Sequence, residues 1–309
     1  MHMHRRRNCR KSPIARTARA ALIALIASGS AAAQGDDPTS RRLEQSPRHH
    51  EWADVSTASG RTVRTWVVFP EVDRPVPAVV IIHENRGLND WARSVADQIA
   101  EAGYVALAPD LLSGMGPGGG GTSSFKSTDD ASTGISALTT EQVMSDLDAV
   151  VAHARSMAAT TDVVAVGGFC WGGGQTFRYA VRNPDIAAAY VFYGSSVTDE
   201  SQLAKIKAPV YGFYGGNDFR ITGSVEGVAA SMKKLGKTFE PVVYEGAGHA
   251  FMRSGETADA DHPNRKAYLA AWKRWKLLLG GLEVPPPPDP DPDPDLDPDP
   301  DPAEPGDRP

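Results

Sequence analysis

Cysteine is almost missing from this 309-residue chain, which has only Cys9 and Cys170. Cys9 falls in an N-terminal stretch expected to be removed, so a single thiol remains. That excludes an internal disulfide framework, and a lone cysteine in an exported protein invites a reactive reading. Long apolar runs are missing too, since the run from Ala20 to Ala27 is too short to cross a bilayer. Positive charge is not in excess. Lys and Arg number 32 against 38 Asp and Glu, a net charge of −6, and nothing points to nucleic acid. There is no internal repeat. A glycine-rich stretch at residues 168–174 lacks a following Gly-Lys-Ser/Thr and the spacing of a dinucleotide fingerprint, which argues against a phosphate cradle.

Both ends are distinctive. Arg5, Arg6, Arg7, Arg10, Lys11, Arg16 and Arg19 precede the apolar run, and Ala31-Ala32-Ala33 follows it. Residues 1–33 therefore read as a secretory signal peptide with an A-x-A cleavage site, and the mature protein is expected to be periplasmic or secreted, with no membrane span. Residues 34–48 read as a polar lead-in. From residue 283 to 309 the chain alternates proline and aspartate, which predicts an extended, disordered tail. That tail holds most of the acid: residues 283–308 sum to −9, leaving the body at about −4 once the signal is gone. The aspartates lack the glycine turns of a calcium loop.

Residues 49–282 are the right size for one α/β domain. Runs at 62–69, 78–82, 104–108, 163–168, 187–193, 210–214 and 240–244 read as strands. Segments at 91–102, 139–158, 175–181, 225–235 and 265–279 have helical spacing. The alternation predicts a mostly parallel sheet with helices on both faces.

The chemistry gathers at three strand ends. Gly168-Phe169-Cys170-Trp171-Gly172 follows a β-branched run and opens a helix, the glycine-x-nucleophile-x-glycine elbow with cysteine in place of serine. Only very small residues fit two before and two after such a turn, and the helix N-terminus favours a thiolate. Asp218 follows the strand at 210–214 and His249 the strand at 240–244. Nucleophile, acid, histidine is the chain order of an α/β-hydrolase triad. Taken alone, Asp218 could be a turn aspartate and His249 an ordinary loop histidine. A third loop reads His83-Glu84-Asn85-Arg86-Gly87-Leu88-Asn89, where an acid directly after a buried strand needs a partner.

With HENRGLN at 83–89, PDL at 109–111, GFCWGG at 168–173, GGND at 215–218 and GHAFMR at 248–253, the chain resembles the dienelactone hydrolase family of the α/β-hydrolase fold. The resemblance implies Cys170 as nucleophile, His249 as general base and Asp218 as its orienting acid. It implies that Glu84 takes the thiol proton as substrate enters, and that the backbone N–H groups of Trp171 and Asn85 form the oxyanion hole. It implies Arg253 as an anchor for a substrate carboxylate, although an acid such as Glu256 could hold that arginine instead. One departure stands out: no arginine occurs between Arg93 and Arg155, where well-known members carry a second carboxylate-binding arginine. In its place is a glycine run, 114–121, which reads as a mobile lid or a disordered surface loop. The expectation is an exported, monomeric cysteine hydrolase of small esters or lactones with no metal or organic cofactor. The alternative is a non-catalytic binding or cell-surface protein on the same fold.

Overall fold

The central strands are apolar without alternation, as strands covered on both faces must be. Val76–Ile82 (β3) reads VPAVVII and is buried at every position. The structure is a computed structural model in which residues 38–282 are described. The expected signal peptide and tail lie outside the described residues.

The elements run α1 (Pro38–Gln45), β1 (His50–Ser56), β2 (Thr62–Val68), β3, α2 (Asp90–Glu101), β4 (Val105–Pro109), α3 (Thr128–Ala137) and α4 (Thr140–Ser156). They continue β5 (Thr160–Phe169), α5 (Trp171–Arg182), β6 (Ala189–Phe192), α6 (Glu200–Leu203), β7 (Val210–Gly215) and α7 (Phe219–Thr222). The last four are α8 (Val225–Lys234), β8 (Phe239–Tyr244), α9 (Phe251–Ser254) and α10 (Pro263–Gly280). The eight strands form one sheet in the order β1-β2-β4-β3-β5-β6-β7-β8. β1 pairs antiparallel with β2, and β2 antiparallel with β4. Every other pairing is parallel.

Alternate residues of β3 feed two cores. Ala78, Val80 and Ile82 face α4, α5 and α8. Val79 and Ile81 face α2 and α10, where Trp275 meets Phe169 and Phe192. This is the expected α/β architecture, with helices on both faces.

Three segments differ from the sequence reading. Part of the polar lead-in forms α1, and residues on either side of its end meet one buried acid on α2. Asp97, 1% exposed, accepts from Arg48 Nε at 2.9 Å and Nη2 at 2.8 Å, from Arg42 Nη1 at 3.2 Å, and from the Ser46 hydroxyl. β1 was not foreseen because HEWADVS is mostly exposed and polar, as an edge strand can be. The glycine run is built as turns. Gly116 N–H donates to Gly120 O at 2.9 Å, and the buried Asp110 accepts from Thr122 N and Oγ1, each at 2.7 Å. One buried carboxylate thus organises a segment whose glycines alone predict no structure.

Candidate active site

The site is built from the elbow outwards. Strand β5 ends at Phe169, helix α5 begins at Trp171, and Cys170 between them has φ 54° and ψ −115°. A side chain at that φ is strained, and close packing enforces it. A Cβ at Gly168 would lie 2.4 Å from Gly172 O, and one at Gly172 would lie 2.4 Å from the carbonyl oxygens of both Ile82 and His83. The flanking glycines therefore let helix, elbow and the end of β3 touch. Trp171 is the first residue of α5, so its N–H has no acceptor within the helix. The close approach of Gly172 to the carbonyls of Ile82 and His83 sets the end of β3 against the start of α5. The Asn85 side chain reaches α3, donating from Nδ2 to Ser132 Oγ at 3.5 Å.

The structure brings Cys170, His249 and Asp218 together. His249 Nε2 is 3.1 Å from Cys170 Sγ, and Nδ1 is 2.5 Å from Asp218 Oδ2. Backbone bonds fix both loops: Asn217 N–H donates to Ala247 O at 2.8 Å, and Gly248 N–H donates to Asn264 Oδ1 at 2.8 Å. The pKa of His249 is raised to about 9, chiefly by the hydrogen bond to Cys170, then against burial by the bond to Asp218. A charged imidazole beside the sulfur favours a thiolate. The sign follows from the raised value. The stabilisation is fully present below the ordinary imidazole range and is lost as pH rises through about 9.

Glu84 lies in the site, but not on the thiol. It is 3% exposed; Oε2 accepts from Arg253 Nε at 2.9 Å and Oε1 from the Tyr193 hydroxyl at 3.3 Å. The expectation from resemblance placed Glu84 as the proton acceptor of Cys170. That transfer was expected as substrate enters; in the free site the Glu84 carboxylate is engaged by the guanidinium and hydroxyl beside it, and the group in contact with the sulfur is His249. Arg253, on α9 and one third exposed, thus holds Glu84 rather than standing open at the rim.

Two residues escaped the sequence reading. Tyr193, at the carboxyl end of β6, is fully buried with φ 38°. Burial, and then the neighbouring Glu84 and Cys170, push its hydroxyl well above the ordinary range, so it remains a donor. Its ring meets His249 edge-on at 5.2 Å. The available signal was its place at the carboxyl end of the strand beside the elbow strand. His83 is also fully buried. Its Nδ1 donates to Glu84 O at 2.8 Å, its Nε2 accepts from Leu111 N–H at 3.4 Å, and its ring stacks on Trp171. Burial lowers its pKa, so it is a neutral strut that sets Glu84 and Trp171. Among the described residues no group of three or more His, Cys, Asp or Glu is placed to hold a metal ion, and no helix is long and apolar enough to cross a membrane.

A mostly parallel eight-stranded sheet flanked by helices, with a strained strand-to-helix elbow near its centre, defines an α/β-hydrolase. The model of the dienelactone hydrolase family matches residues 63–282, and the chain belongs to that family. It is similar to a provisionally named carboxymethylenebutenolidase of Methylorubrum extorquens, 36% identical over 194 residues, 59% of this chain and 66% of that one. A relative of the same name from Escherichia coli K12 is 32% identical over 228 residues, 68% of this chain and 79% of that one. Among solved structures, a provisionally assigned dienelactone hydrolase from Klebsiella pneumoniae superimposes with a TM-score of 0.66 at 25% identity, over 76% of this chain and 99% of that one. The protein is a hydrolase acting on ester bonds.

Proposed function

We propose that the protein is an exported cysteine hydrolase that opens small lactones and esters through an acyl-enzyme, as a carboxymethylenebutenolidase-like enzyme. The observation that supports this most is the continuous Cys170–His249–Asp218 chain of contacts at 3.1 and 2.5 Å. The Cys170 thiolate adds to the carbonyl carbon, and the N–H groups of Trp171 and Asn85 receive the oxyanion. Imidazolium His249 protonates the departing alkoxide as the C–O bond breaks, leaving a thioester. Neutral His249 then takes a proton from water as the resulting hydroxide attacks the thioester, and the C–S bond breaks to release the carboxylic acid and restore the Cys170 thiolate beside imidazolium His249.

Arg253 is the candidate anchor for an anionic substrate. A carboxylate entering the site would compete with Glu84 for that guanidinium, and a released Glu84 could then turn towards Cys170. A second anchoring arginine is absent from the glycine turns, so neutral small esters are expected to react as well.

Turnover of p-nitrophenyl acetate by the purified chain tests the reading. It should vanish in Cys170→Ala and after thiol alkylation, with the fold intact by circular dichroism. Hydrolysis that survives both treatments would sink the cysteine mechanism. A folded chain with no turnover on any small ester or lactone would favour the binding-protein alternative.

A further inference from the structure

A cavity of about 580 Å³ opens beyond the catalytic loops, at the β2 side of the sheet. Four cations line it from separate segments: Arg64 on β2, Arg86 in the loop after β3, Arg93 on α2 and Lys126 just before α3. Two rings, Trp52 and Phe125, complete the wall. The acidic lining groups are already committed. Asp90 binds Arg93 at 2.6 Å, and Asp110 accepts from Thr122 N and Oγ1 and from Leu112 N–H. Arg64 lies over the Trp52 ring at 4.6 Å. Among the described residues, Arg64, Arg86 and Lys126 form no ion pair with a carboxylate.

This chain has more acid than base, so a surplus of cations does not explain three around one cavity that form no ion pair among the described residues. Like charges held together repel, and an anion between them removes that cost. A guanidinium offers a carboxylate two parallel hydrogen bonds, and aromatic walls accept a flat apolar body. The cavity volume is in the usual range for a small-molecule site. The site is not the one at Cys170. Cys170, Asp218 and His249 are all absent from its wall. It is nevertheless connected to the elbow region: Arg86 directly follows Asn85, and Phe125 and Ala131 belong to both the cavity wall and the cluster around Trp171.

We propose that this cavity binds a small aromatic carboxylate, with Arg64, Arg86 and Lys126 around the carboxylate and Trp52 and Phe125 against the ring. The test is calorimetric titration of benzoate into the full-length protein. Saturable binding is expected that weakens with added salt, persists after alkylation of Cys170, and weakens at least about tenfold in Arg64→Ala/Lys126→Ala. Melting temperature serves as the fold control. Should the double variant unfold, Lys126→Gln at an exposed position gives a second readout, with weaker binding expected. The proposal is overturned if these variants bind benzoate as tightly as the parent, if alkylating Cys170 abolishes binding, or if no saturation is reached at millimolar benzoate. Binding is read without turnover, so its failure would leave the hydrolase reading untouched.

Discussion

Asp218 does more than orient an imidazole; with Cys170 it keeps His249 charged. Because the acid holds the imidazole pKa up, Asp218→Asn should move the His249 titration down from about 9 towards the ordinary histidine range. Imidazole NMR resonances followed against pH would report it, and thiol alkylation near neutrality should slow with it. An unmoved midpoint would mean that the thiolate alone sustains the shift. The Glu84–Arg253 pair yields a second prediction. Arg253→Ala leaves a 3%-exposed carboxylate whose remaining hydrogen-bond partner among the described residues is Tyr193. Breaking a buried pair costs about 3–5 kcal/mol, and the partial exposure of Arg253 reduces that to about 1–3 kcal/mol. Adding Glu84→Gln should recover part of the loss in a urea-unfolding cycle, since a neutral amide tolerates burial better. No recovery would show that the two groups are not energetically coupled.

The elbow is the element on which geometry and chemistry depend together. Gly172→Ala would push a methyl group to 2.4 Å from two backbone carbonyl oxygens, neither of which is the end of a flexible side chain. A cost of about 1–3 kcal/mol is expected for such overpacking, with a lower melting temperature. Activity should fall by more than the folded fraction does, because the methyl separates the start of α5 from the end of β3. A variant with a depressed melting temperature and normal turnover at low temperature would count against that coupling. This element was also the most legible in the sequence, since its glycines, its buried strand and its cysteine each carry a separate signal. Parallel strands β3, β4 and β6 were legible because burial on both faces leaves them apolar throughout. Other features were hidden for physical reasons. Edge strand β1 is mostly exposed, and α3, reading TDDASTGISA, buries only Ala131 and Ile135. The contact between Tyr193 and Glu84 spans 109 positions, and the positive φ that allows it leaves no compositional trace.

At the scale of the whole molecule, residues before the matched family region contribute to the fold. Asp97 is held by Arg48, Ser46 and Arg42, all of them outside residues 63–282. Burial alone would raise the Asp97 pKa, but these hydrogen bonds outweigh it and the net shift is downward. A lowered carboxyl pKa contributes stability above the ordinary aspartate range and loses it as pH falls through the folded-state value. A chain starting at residue 49 should therefore lose about 3–5 kcal/mol at neutral pH by urea unfolding. The gap to the parent should narrow in acid, and Asp97→Asn should restore part of it. Equal stability of the two chains at neutral pH would assign the anchor no energetic role.

The histidine loop leaves the sheet from an edge strand. β8 has one neighbour, β7, and none of its six residues is fully buried. Pro241 within it offers no amide to a further strand. Sheet edges open more easily than sheet centres, and local opening has its own free energy, smaller than that of global unfolding. Fraying of this edge would carry His249 away from a sulfur that stays fixed by the central strand. Loss of activity on warming is then expected to follow the opening of this one border, seen as faster amide exchange in β8 than in β3 or β5.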